Sequence, residues 1–98
     1  MYVVVQHEIK DQRVAFTRGE RLIKNVDAPA GVVGLEFYPS RDGTAVTCLW
    51  EAPSVAAVQE YVDRVLGDSS ANTCYEVNAE ESFATRPDGI RDAAAARA

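Results

Sequence analysis

TAVTCLWEAPSVAAVQEYVDRVLGDSSANTCYEV, residues 44–77, is the stretch whose reading decides the fold. It opens on an alternating strand over Thr44 to Glu51, in which Val46, Cys48 and Trp50 share one face. Pro53 stops that strand, because proline cannot donate to a sheet ladder, and Ser54 stands where a helix needs a side-chain oxygen for its unpaired amides. Val55, Val58, Tyr61, Val62, Val65 and Leu66 then recur at three- and four-residue intervals, the spacing of one helix face. Gly67 ends the helix, Asp68 to Ala71 reads as a polar loop, and Asn72 to Asn78 as another strand.

The preceding residues repeat the pattern. Tyr2 to Ile9 is a strand rich in β-branched residues, with Val3, Val5 and Ile9 on one face and Gln6 and Glu8 on the other. Asp11 can cap a helix reaching to about Val26, with Val14, Ala15, Leu22, Ile23 and Val26 as its apolar stripe; Gly19 weakens it by about 1 kcal/mol relative to alanine. After the break at Asp27 to Gly31, Val32 to Tyr38 is the second strand. Pro39 to Gly43 turns it back onto Thr44.

The order is therefore βαββαβ, two strand-helix-strand units joined by a hairpin. This is the α+β ferredoxin-like pattern, a four-stranded antiparallel sheet of order 4-1-3-2 with both helices on one face. The other face has no helix to cover it, which leads us to expect a homodimer of the dimeric α+β barrel type. Val46, Cys48 and Trp50 are expected to point toward the helices. Thr47, Leu49 and Glu51 then line the open face, with either Leu35 and Phe37 or Glu36 and Tyr38 beside them.

Composition narrows the function classes. The 98 residues make one domain, read as residues 1–83, followed by a flexible or docking tail over 84–98 that ends in an alanine-rich segment. A net charge of −5 with scattered basic residues argues against a nucleic-acid partner. No apolar run approaches the roughly 18 residues that span a bilayer, and Tyr2 to Val5 lacks the features of a signal peptide, so no membrane association and a cytoplasmic location are expected. Glu80 and Glu81 read as a solvated turn.

The run Cys48-Leu-Trp-Glu-Ala-Pro-Ser54, with Ala57 and Val58 in the helix and Tyr75-Glu-Val77 in the last strand, resembles a widespread group of small uncharacterised ferredoxin-like proteins that includes a nickel-binding member. The resemblance covers the second half of the chain well and the first half in outline. It implies the dimeric α+β fold, a cytoplasmic location, and a metal or small-molecule site. One position departs: where the nickel-binding relatives carry a histidine in the second helix, this chain has Val62.

The residues themselves supply few metal ligands. His7, Cys48 and Cys74 show no clustered spacing, so no metal site is assigned, and the lone strand histidine is expected to be partly exposed with no special role. Cys48 and Cys74 lie on strands separated by strand one, about 9 to 10 Å apart in the proposed order, too far for a disulfide. No phosphate loop or nucleophile elbow is present, and no cofactor is indicated. The leading expectation is a small-molecule binder using the space between helices and sheet, with His7, Glu36, Trp50, Glu51 and Tyr75 as candidate ligand contacts. The alternatives are a nickel-type metal-binding protein and a dimeric-barrel monooxygenase or isomerase.

Overall fold

A computed structural model describes residues 1–98. The chain runs β1 (Tyr2–Ile9), α1 (Gln12–Ile23), β2 (Val33–Pro39), β3 (Ala45–Glu51), α2 (Val55–Leu66), a single 3₁₀ turn (Gly67–Ser69), β4 (Ser70–Glu76) and a short terminal helix α3 (Ala93–Arg97). The four strands form one antiparallel sheet in the order β2-β3-β1-β4, which is the 4-1-3-2 arrangement of a ferredoxin-like α+β fold.

Both main helices start where the sequence places their caps. The Asp11 carboxylate accepts from Val14 N at 3.1 Å and the Ser54 hydroxyl from Ala57 N at 3.1 Å. Several boundaries differ from expectation, most of them by one or two residues. α1 stops at Ile23 instead of Val26, because the chain turns through left-handed conformations at Asn25 and Asp27 (φ 56° and 54°). β4 begins at Ser70, two residues early, since the polar loop is only one 3₁₀ turn and the Ser69 carbonyl accepts from the Lys10 and Asp11 amides.

Register settles which residues share a face. Val3 lies opposite Trp50, Val5 opposite Cys48 and Cys74, and His7 opposite Val46 and Asn72, all on the face covered by the helices. An irregularity between Gly34 and Glu36 shifts the β2 pairing, so Glu36 meets Leu49 and Tyr38 meets Thr47 on the open face while Phe37 meets Cys48 on the covered one. The densest packing lies under α2. Val58, Tyr61 and Val62 are fully buried against Val3 and Val5, and Trp50 stands edge-on to Tyr61 with ring centres 5.9 Å apart.

No helix is long and apolar enough to cross a membrane.

Candidate functional site

α1 covers the sheet less completely than α2, and its own side chains explain this. Its sheet-facing positions carry Ala15 and Gly19, too small to fill the gap to β2 and β3. A side-chain carbon added at Gly19 would meet only the Leu66 methyl, at 4.0 Å. The result is a cavity of about 860 Å³ between α1, the β2–β3 side of the sheet and residues 84–97. This is within the range of small-molecule sites, ~300–1,000 Å³.

Its floor is Val46, Cys48 and Trp50, with His7 and Ile9 behind; Phe16, Leu22, Leu35 and Phe37 form the walls. The mouth is crossed by α3, held by Arg97, whose guanidinium donates to the Ile23 carbonyl at 3.0 Å and also to the Gly34 carbonyl. Arg97 thus clips the end of α1 to the start of β2. A side-chain carbon added at Gly34 would stand in ordinary contact with the Trp50 ring, at 3.4 Å.

Two polar groups stand out in this apolar lining. Trp50 is 2% exposed, and its indole N–H has no hydrogen-bond partner in the protein. A buried donor left unpaired is unfavourable by about 1–3 kcal/mol. The second group is His7, which is 5% exposed; this corrects the expectation of a partly exposed strand histidine. The signal for its burial was present, because His7 alternates with Val3, Val5 and Ile9 on the covered face.

A chain of hydrogen bonds orients the imidazole. Nδ1 lies 2.6 Å from the Asn72 side-chain oxygen, and the Asn72 amide nitrogen donates to the Asp63 carboxylate at 2.9 Å. Gln59 holds that carboxylate at 3.1 and 3.0 Å and also donates to the Asn72 carbonyl at 3.0 Å. With the amide nitrogen of Asn72 committed to a carboxylate, its oxygen must face His7, so Nδ1 carries the proton and Nε2 is left as an acceptor. Nδ1 points toward β4, which turns the Nε2 edge toward β3 and the cavity. Burial lowers the His7 pKa from its ordinary value, opposed by the Asn72 hydrogen bond and the Asp63 charge, so the ring is neutral at neutral pH.

The five candidate contacts divide between the two faces of the sheet. His7 and Trp50 lie on the cavity floor, about 13 Å apart along the strands since Trp50 sits opposite Val3, four residues from His7. Glu36 is at the rim, where its carboxylate accepts from the Tyr38 hydroxyl at 2.6 Å. Glu51 and Tyr75 are on the open face, Tyr75 beside Val4 and Glu51 beside Tyr2, and are not brought to the cavity. Asn72 and Asp63 escaped sequence reasoning, because nothing local marks residues so distant in sequence, Asn72 being 65 positions from His7.

Other chemistries find less to work with. Burial pushes the Cys48 thiol up to about 12 and the Cys74 thiol up to about 11, so both are protonated, unreactive and unpaired. No three His, Cys, Asp or Glu side chains converge to hold a metal ion, and Val62, where the resemblance would place a metal ligand, is fully buried in the core.

The architecture defines a small ferredoxin-like α+β protein with a cavity between α1 and the sheet. Among solved structures it is similar to Rv0793 from Mycobacterium tuberculosis, with 16% identity and a TM-score of 0.52 over 83% of this chain and 98% of that one, a likeness of fold. The chain matches no protein-family model and no curated protein sequence.

Proposed function

We propose that this protein binds a small, largely apolar molecule in the cavity between α1 and the sheet, with His7 as its polar contact, the Trp50 ring as an apolar one and Glu36 at the rim. The observation that carries this reading is the apolar space of about 860 Å³ left between α1 and the sheet, with His7 and the Trp50 ring in its lining. Trp50 is the only tryptophan, so its emission reports occupancy directly. Decanol, a neutral apolar probe, is expected to shift that emission saturably. Gly19→Leu, which fills the space from α1, is expected to abolish the shift. An unchanged spectrum in the wild type, or an equal shift in Gly19→Leu, would sink the proposal.

The working form in this reading is a homodimer joined through the open sheet face. Tyr75, 50% exposed, lines up with Val4 and Leu49 across three strands, and Tyr2 and Tyr38 flank them, an apolar band suited to a second copy about a two-fold axis. Leu49→Arg, at its centre, is expected to convert the dimer to a monomer in sedimentation velocity; a monomeric wild type would refute it.

A second reading, an enzyme such as a dimeric-barrel isomerase or monooxygenase, is favoured by one observation. The neutral His7 ring is held in a defined tautomer with Nε2 turned toward the cavity, as a general base requires.

A further inference from the structure

The polar lining of the cavity is asymmetric, and that asymmetry speaks to the chemistry of the ligand. Deep in the site, His7 offers an acceptor at Nε2, and no protein group donates to it. At the mouth, the basic and acidic side chains are Arg86, Arg91, Arg97, Glu36 and Asp92. Asp92 is paired with Arg86 at 3.3 Å and Glu36 is engaged by Tyr38, whereas Arg91 and Arg97 have no carboxylate partner. In a chain of net charge −5, this rim is locally cationic. It favours entry of an anion, while the floor accepts a proton.

We propose that the cavity takes an apolar carboxylic acid, whose acid group docks on His7 Nε2 and shares one proton with it. The inference rests on the cavity being a small-molecule site. The free acid is a carboxylate at neutral pH and free His7 is neutral, so the complex takes up one proton from solution. That proton sits between carboxylate oxygen and Nε2, and no other bond is made or broken. The Asn72 and Asp63 hydrogen bonds support the extra charge, because Nδ1–H already points at Asn72 and the Asp63 carboxylate lies behind it.

Few other groups could take up the proton. α1 contributes Ala15, Phe16, Gly19, Leu22 and Ile23 to the lining, none titratable. β3 and β4 contribute Cys48 and Cys74, both neutral thiols, and α2 contributes Asp63, reached only through Asn72. At the mouth, Glu36 is held by the Tyr38 hydroxyl and Asp92 by Arg86, and the three arginines have no acceptor for a proton. His7 is the only histidine in the chain.

The test compares decanoate with decanol by calorimetry in buffers of different ionisation heat. Decanoate is expected to take up about one proton per molecule bound, with affinity rising about tenfold from about pH 8.5 to about pH 7.5, whereas decanol takes up none. His7→Gln is expected to lose the proton uptake with decanoate. Should that variant fail to fold, the wild type suffices: the ring signals of the single histidine should titrate at higher pH when saturated with decanoate. Decanol binding with no uptake from decanoate, uptake that persists in His7→Gln, or an unmoved histidine titration would each overturn the inference while leaving the cavity reading intact. If neither probe binds, both fall.

Discussion

The two helices cover the same sheet and do opposite things with it. α2 presents Val58, Tyr61, Val62 and Leu66, and everything beneath it is dense. α1 buries only Ala15 and Leu22, and beneath it the sheet faces a cavity. The difference comes from side-chain volume on one helix face. A close-packed half holds the strands in register, which leaves the other half free to be hollow. His7 stands at the seam, tied by Asn72 to the packed side and open at Nε2 to the hollow one.

That contrast is open to attack at several points. The largest effect is expected from Tyr61→Ala, which removes a fully buried ring together with its 2.6 Å hydrogen bond to the Val26 carbonyl. A loss of about 3–5 kcal/mol in urea unfolding is anticipated. Phe16→Ala, on the hollow side where the ring is 38% exposed, should cost less than about 1 kcal/mol. Comparable losses at the two positions would mean that α1 packs as tightly as α2 in solution.

Ser54→Ala removes the cap of the packed helix and should destabilise by about 1 kcal/mol. Gly19→Ala has the opposite sign: helix propensity improves and the added carbon has room, so a gain of up to about 1 kcal/mol is expected. A loss there would show that α1 touches the sheet at Gly19 and that the space is not real.

The smallest effect is a pH dependence. The His7 pKa is lowered in the folded protein from 6.5, so the folded state binds fewer protons than the unfolded one between the two values. Stability is therefore full above about pH 6.5 and falls as the pH drops toward the folded pKa of His7. His7→Gln should flatten this slope in urea midpoints measured across that range. An unchanged slope would place His7 in water and not at the seam.

The element order, both helix caps, the inward set Val46, Cys48 and Trp50 and the strand order could all be read from residues 1–83, because each depends on periodicity or on a local hydrogen bond. The burial of His7 was also legible in its parity with Val3 and Val5. The β2 irregularity after Gly34 was not, since a one-residue shift in pairing leaves no mark on alternation until the partner strand is present. Nor was the end of α1, which depends on two left-handed residues that are not glycine. The chain's periodicity determined which face each side chain takes, because that is a property of the backbone repeat. Only the tertiary structure decided what lies across from that face: a filled core under α2, a cavity under α1, Asn72 beside His7, and Arg97 across the mouth. These juxtapositions join residues up to 74 positions apart, and the space between them is set by the summed volumes of side chains from several elements.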